Sequence, residues 1–285
     1  MAPSRLLKLH KIIQVSDYTI TTWVLLGATV QCLLTLLLPT RLALFPPILL
    51  LIHRILRGYL AATGYIPNLL SVGVNYSRTT VQIPSPSGSP ASQPSNESLV
   101  VMVLTSTFTH PNGRFSPGGA DLGPLFIAMW ADAAANRETY GYLGNTPAMV
   151  AEPSSLYSGP RNGDDRGKTM LWLSYWKTLD GLRAFAHAGL HRRGWDWWES
   201  GGTGRRFGHI GVAHEVYGVP GGGWGCVAHN FRAFGLGNAK FPVWSEGAEG
   251  GKGAVQWVSG LRPARGKEWK SMESRMGRAE GSVGL

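Results

Sequence analysis

The chain has 285 residues, 38 glycines, 18 prolines and a formal net charge of +10, which fits one compact domain with polar or basic flanking segments. Its two cysteines exclude a disulfide framework. The positive charge lies at both ends, without zinc-finger spacing, an RNP-like strand or a long basic helix, so it favours an anionic membrane surface and argues against nucleic acid as a partner.

The first predicted element is an apolar helix near the N-terminus. Residues 20–38 form an almost unbroken apolar run that, at about 1.5 Å per residue, nearly spans a bilayer, so we predict a transmembrane helix. Residues 42–60 are also apolar, but Pro46 and Pro47 interrupt the start and Arg54 and Arg57 the second half, which favours an interfacial or re-entrant segment. A single membrane helix and a helical hairpin both remain open; the two arginines favour the hairpin, with the main domain on the cytoplasmic side of the endoplasmic reticulum membrane.

Composition divides the rest of the chain. Residues 84–98 are rich in Ser, Pro and Gly and predict a flexible linker. The predicted organisation is a membrane-anchoring segment at 1–65, a linker at 66–98, a folded domain at 99–240 and a basic, Gly-rich, mostly disordered tail at 241–285.

Within the folded domain, the apolar pattern predicts the order β-α-β-β-α-β. Strands are expected near residues 99–104, 142–150, 169–176 and 209–219. One helix follows Asp121, and a second begins at the capping residue Thr178 and continues to Leu190. This order is the ferredoxin-like α+β unit, whose antiparallel sheet carries helices on one face only. A second copy is the common cover for the other face, so we predict a homodimeric α+β barrel.

His214 is the first candidate for chemistry. Strand alternation places it on one face with Ile210, Val212 and Val216, whereas Glu215 points to the other face. Desolvation among apolar neighbours would keep His214 neutral, which suits a general base or a haem ligand. A hydrogen-bonded core histidine remains the alternative.

His187 and His191 lie four residues apart on the second predicted helix, so both could face one ligand. Two histidines without a supporting cysteine or a His-Glu-x-x-His motif make a poor zinc site, and no metal is expected. We therefore expect these residues to fix the helix end through hydrogen bonds or to hold a donor over a pocket, with His187 as a second catalytic candidate.

Tryptophans cluster beside these histidines. Trp195, Trp197 and Trp198 surround Asp196 and could stack on a flat or polycyclic apolar substrate, with Asp196 orienting an indole N–H. A lid of aromatic side chains that closes the core or a dimer seam is the open alternative. The other residues expected to line the pocket are His191, Trp172, Trp176 and Ile210.

Residues 99–237 resemble a fungal family of monooxygenase-like proteins from secondary-metabolite pathways, of the fumagillin-pathway type and related to antibiotic-biosynthesis monooxygenases. The residues that carry this resemblance are Tyr140-Gly141-Tyr142-Leu143-Gly144, Tyr175-Trp176, Phe185-Ala186-His187, His191-Arg192-Arg193-Gly194-Trp195-Asp196-Trp197-Trp198, His209-Ile210-Gly211-Val212-Ala213-His214-Glu215-Val216-Tyr217 and Asn230-Phe231.

The resemblance implies a dimeric α+β barrel that oxidises a hydrophobic polyketide or terpenoid intermediate. It also implies no flavin or metal, because an electron-rich substrate can activate molecular oxygen, the co-substrate, by itself. Two alternatives remain open: a haem-binding dehydratase on the same barrel, with His214 or His209 as axial ligand, and a non-catalytic partner of a biosynthetic enzyme at the membrane.

Overall fold

A computed structural model describes residues 14–18, 20–85, 87–89, 91–110, 112–151, 168–200, 207–244 and 254–278. The chain divides into two compact units, Met1–Gly73 and Val74–Leu285. Most of the segment expected to be a linker therefore groups with the sheet domain rather than with the N-terminal helices.

The first unit contains two helices, α1 (Ile20–Leu37) and α2 (Thr40–Ala62). Both are long and apolar enough to cross a membrane by length and composition, with mean hydropathies of 1.8 and 1.3. Helix α1 buries no residue and α2 buries Ala43, so nearly all their apolar side chains face outward.

Pro46 and Pro47 lie inside α2, so the expected interruption of this segment is wrong. A proline at position 47 has no N–H to donate to the carbonyl of Ala43, four residues earlier. The side chain of Gln31 in α1 donates from Nε2 to that carbonyl at 3.1 Å. The neighbouring helix thus supplies the hydrogen bond that the proline removes.

The second unit is built from short and long strands with helices between them. Its strands are β1 (Val74–Asn75), β2 (Thr79–Val81), β3 (Leu99–Phe108), β4 (Tyr142–Asn145), β5 (Met149–Ala151), β6 (Lys168–Trp176), β7 (Ile210–Val219), β8 (Phe231–Arg232), β9 (Lys240–Trp244), β10 (Val255–Ser259) and β11 (Leu261–Pro263). Its helices are α3 (Gly119–Ala135), α4 (Arg137–Tyr140), α5 (Leu179–Ala186), α6 (Gly189–Glu199) and α7 (Met272–Arg275).

The main sheet has five strands in the order β4-β6-β3-β7, and β5 also pairs with β6. All its pairings are antiparallel. The predicted βαββαβ order and the ferredoxin-like α+β class are confirmed. The predicted second strand is divided into β4 and β5, with a register shift beside Gly144, whose φ of +149° an L side chain rarely adopts.

Helices α3, α5 and α6 cover one face of this sheet, here called the helix face. The stripe predicted on α3 packs there, since Leu122 and Ala133 are buried and Met129 and Trp130 pack against the core. The buried core between helices and sheet contains Val100, Met102, Ala133, Tyr142, Trp176, Leu182 and Phe185.

The single helix predicted from Thr178 to Leu190 is wrong, because the structure has two helices there. Thr178 caps α5 as expected: its Oγ1 accepts a hydrogen bond from the backbone N–H of Gly181 at 3.1 Å. Helix α5 ends at Ala186, and the extended backbone of Ala188, with φ −65° and ψ 152°, redirects the chain into α6. His187 and His191 therefore do not share a helix.

Other parts of the same chain cover much of the opposite face of the sheet. A second buried cluster joins Leu99 and Tyr175 of the sheet to Val81 of β2 and Phe241 of β9. Strand β9 pairs with β10, and β2 with β11. The tail is not mostly disordered in its described part, residues 254–278, where Trp269 is buried. Its strands are short, β10 pairs with the nearby β9 and β11 pairs with the distant β2, so they leave no sustained apolar period in the sequence.

Candidate active site

The helix face contains a cavity of about 340 Å³ beside β7. Most of its lining is apolar, and it lies between α3, α5, α6 and strands β3 and β7. The lining residues are Met102, Leu104, Leu122, Leu125, Phe126, Met129, Trp130, Leu179, Leu182, Arg183, Phe185, Ala186, His191, Gly194, Trp195, Trp198, Val212, His214 and Val216.

Strand register explains the floor of this cavity. Leu104 of β3 lies opposite His214 of β7, and Met102 lies opposite Val216, so these side chains project to the same face. Strand β7 pairs only with β3 among the described strands and forms one edge of the sheet. The cavity consequently reaches solvent along β7, where His214 and Val216 are exposed.

A close helix contact shapes the opposite wall. Gly194 of α6 is buried against α3, and a Cβ at this position would overlap Cε of Met129 and lie 3.1 Å from Cδ2 of Leu125. The absence of a side chain at Gly194 lets α6 approach α3 closely. Met129 consequently keeps its position along the cavity wall.

Two buried polar atoms belong to this apolar lining. Neither Nε1 of Trp130 nor Nδ1 of His191 has a hydrogen-bond partner among the described residues. Both rings contact Phe185, at centroid distances of 6.4 Å for Trp130 and 5.3 Å for His191. Buried polar groups without partners are rare and costly, and these two could be satisfied by a polar atom of a ligand.

Burial determines the protonation of His191. It lowers the pKa of His191 below its usual value of 6.5. The backbone carbonyl of Ala186 acts in the opposite direction and raises the pKa, whereas nearby His214 and His187 lower it further. This carbonyl lies near the ring without completing a hydrogen bond to Nδ1. His191 is therefore neutral at pH 7 and can accept a proton.

Of the residues predicted from the sequence, His191, His214 and Trp195 line the cavity. The burial expected for His214 is wrong, because its position on the edge strand leaves it exposed. His187 is also exposed, at the C-terminal end of α5, and it lies outside the cavity lining.

The other predicted lining residues support the core instead. Trp176 is completely buried, and its Nε1 donates to Oγ of Ser174 at 2.9 Å. Trp172 packs on Phe126 with ring centroids 5.4 Å apart. Trp197 stacks on Phe207 at 5.2 Å, and this ring contacts the same buried cluster as Ile210.

Two further expectations change with the geometry. Asp196 orients no indole; it forms an ion pair with Arg192 at 2.9 Å on the exposed side of α6. His209 has Nε2 3.0 Å from the carbonyl of Pro117 and lies outside the cavity lining, so it does not suit an axial haem ligand in this cavity. His214 and Glu215 diverge as predicted, and Glu215 accepts a hydrogen bond from Tyr217.

Sequence analysis did not assign Trp130 or Arg183 to the pocket, whereas Trp198, which it expected to stack on a substrate, lines the cavity. Trp130 belongs to the apolar stripe of α3, where its spacing indicates core packing and does not reveal an unpartnered N–H. Across the described ranges, no three His, Cys, Asp or Glu side chains lie close enough together to hold a metal ion. The side-chain hydrogen-bond donors in the cavity lining are imidazoles, indoles and one guanidinium.

Comparisons with known proteins identify a family and a curated relative with similar sequences. Residues 99–236 match the family described as Monooxygenase af470-like. The predicted family resemblance is confirmed. Monooxygenase af470 of Aspergillus fumigatus is 26% identical over 263 residues, which are 92% of this chain and 89% of that protein. Both matches are named as monooxygenases, so the oxidoreductase class predicted from the sequence is confirmed at the level of the family.

Solved structures show more distant similarity. SnoaB, a cofactor-independent oxygenase from Streptomyces nogalater, is 11% identical with a TM-score of 0.24, and the match covers 41% of this chain and 90% of SnoaB. An aldoxime dehydratase in complex with butyraldoxime is 9% identical with a TM-score of 0.34. That match covers 58% of this chain and 42% of the dehydratase, so the chain spans less than half of the dehydratase's length.

Proposed function

We propose that the second unit is a monooxygenase that oxidises an apolar, enolisable substrate with molecular oxygen and without flavin or metal. The substrate class is a polyketide or terpenoid intermediate of fungal secondary metabolism. The observation that carries the proposal is the apolar cavity whose buried polar atoms, Nε1 of Trp130 and Nδ1 of His191, have no partner among the described residues. The family match supports the same reaction class.

The proposed reaction converts a methylene group beside an enolisable carbonyl or phenol into a ketone. Neutral His191 removes one proton, and the N–H of Trp130 donates a hydrogen bond to the oxygen on which negative charge develops. The resulting carbanion gives electrons to O₂ and forms a peroxide at the same carbon. Loss of water then leaves the new carbonyl, so one oxygen atom enters the product and the other leaves as water.

The apolar lining supports this chemistry in two ways. It excludes water from the carbanion and from the peroxide, and it strengthens the hydrogen bond to the charged oxygen. His214 lines the same cavity from the exposed strand and can exchange protons with solvent. The geometry favours His191 rather than His187 as the base, since His187 lies outside the lining.

The test begins with an absorption spectrum and metal analysis of the purified full chain, followed by oxygen consumption with anthrone, a flat apolar ketone with an acidic methylene. We expect a spectrum without a Soret band, no stoichiometric metal, and an uptake of one O₂ for each ketone formed. A Soret band that His214→Ala removes would support the haem alternative. Absence of turnover together with co-purification of a pathway enzyme would support the non-catalytic alternative.

We further propose that α1 and α2 anchor the protein in the endoplasmic reticulum membrane as a hairpin. The argument is length, because 18 residues of α1 at about 1.5 Å each approach the thickness of a bilayer core. Arg54 and Arg57 of α2 would then lie near the same surface as the start of α1, so the main domain would be cytoplasmic. Protease protection in sealed microsomes tests this: a protected main domain would contradict it.

Homodimerisation also remains a proposal. A second copy would cover the part of the opposite sheet face that the chain itself leaves exposed, where Tyr217 of β7 lies. Equilibrium ultracentrifugation of the detergent-solubilised chain tests this. A monomer at micromolar concentration would contradict it.

A further inference from the structure

The charged groups around the cavity have one sign. Arg183 of α5 belongs to the lining and is exposed, which places its guanidinium at the mouth. The other titratable lining groups are His191 and His214, and no Asp or Glu lines the cavity in the described ranges. The cavity therefore presents one cation, at its mouth, and several hydrogen-bond donors to an otherwise apolar volume.

The guanidinium of Arg183 is available for a ligand. Its side chain makes no hydrogen bond or ion pair with any described residue. Asp180 lies three residues earlier on the same helix, and no ion pair joins the two. By contrast, Arg192 of the next helix is paired with Asp196. A lone arginine at the rim of an apolar cavity attracts an anionic group that remains near water while the apolar body enters the cavity.

We infer that the substrate is an apolar molecule with a carboxylate at the end that stays at the mouth. The planar fork of an arginine matches a carboxylate with two parallel hydrogen bonds, and a single cation suits a single negative charge. The body of the acid occupies the volume between Met129, Trp195 and Val216, with its enolisable oxygen at Trp130. The inference rests on the proposed function, since it concerns the same cavity.

The test measures binding of 2-naphthoic acid and its methyl ester to the full chain in neutral detergent, through quenching of tryptophan fluorescence. Trp130, Trp195 and Trp198 line the cavity and provide the signal. We expect the acid to bind about tenfold more tightly than the ester, as for one charge-assisted hydrogen-bonded contact. Arg183→Gln should remove this preference. Arg193→Gln, which changes an exposed arginine of α6 outside the lining, should keep it.

A charge reversal gives an independent result. Arg183→Glu should bind 2-naphthylmethylammonium more tightly than the acid, and circular dichroism should show an unchanged fold because the side chain is exposed. Equal binding of acid and ester by the wild type, or a preference that survives Arg183→Gln, would overturn the carboxylate inference and leave the monooxygenase proposal in place. Failure of both naphthyl probes to bind the wild type would instead reject the cavity as a substrate site and overturn both.

Discussion

Replacement of Trp130 by Phe separates a catalytic donor from a core aromatic residue. In the wild type, the buried N–H of Trp130 has no partner among the described residues, and burying such a group costs about 1–3 kcal/mol. Phe removes this cost and keeps a ring against Tyr142 and Phe185, at the loss of about 1 kcal/mol of apolar burial. We expect the free energy of unfolding to change by no more than about 1 kcal/mol, or to increase, whereas turnover falls about 100-fold.

Trp176→Phe is the matched control, because Trp176 belongs to the same core cluster and its N–H is paired with Ser174. This change removes a made hydrogen bond and leaves the Ser174 hydroxyl with one partner fewer, so we expect a loss of about 2–3 kcal/mol. Urea unfolding followed by circular dichroism, together with oxygen uptake, checks both variants. A larger destabilisation at Trp130 than at Trp176, with normal turnover at position 130, would refute the assignment.

Three further changes test other parts of the structure. Because burial lowers the pKa of His191, the unfolded chain binds more protons than the folded chain between pH 6.5 and the lowered pKa. The free energy of unfolding and the turnover should therefore both fall as the pH drops through this range. A pH series of urea titrations checks the stability, and His191→Gln should remove its change with pH. Gly194→Ala should push Met129 into the cavity, weakening 2-naphthoate binding at least fivefold with a stability change of about 1–2 kcal/mol; unchanged binding would contradict the close-contact argument. Removal of residues 254–285 takes away the partners of β9 and β2 and should yield insoluble or unfolded protein, whereas a soluble chain with native circular dichroism would show the tail to be dispensable.

The main sheet and its order could be predicted because β3, β6 and β7 are long enough to show their own apolar patterns, whereas the short β4 and β5 were read as one strand. Strand β3 has apolar residues on both faces because helices cover one face and parts of the same chain cover the other. The apolar stripe on α3 could also be predicted, because this helix has 17 residues and one side of it packs on the sheet. By contrast, β10 is stabilised by pairing with β9, and β11 by pairing with β2, which is distant in sequence. The local sequence pattern of these short strands therefore carries little signal.

The site was predictable only in part. Strand periodicity identified the face on which His214 lies, and the clustering of tryptophans beside the histidines indicated that Trp195 belongs to the same pocket. It cannot distinguish a filled from an empty part of that core: Trp172 and Trp176 meet packed neighbours, whereas Trp130 faces a cavity. The break at His187 also escaped prediction, because Ala188 and Gly189 permit a continued helix and tertiary packing determines the turn.

For the membrane hairpin proposed above, the hydrogen bond from Gln31 to the carbonyl of Ala43 would have a consequence for biogenesis. In lipid, α1 alone would expose the Gln31 amide and α2 alone would expose the carbonyl that Pro47 leaves without an N–H, each at a cost of several kcal/mol. Paired, the two helices satisfy both groups. We therefore expect the hairpin to leave the translocon as a preassembled pair, and Gln31→Leu to slow release of the nascent chain into the bilayer without reducing the apolar character of either helix.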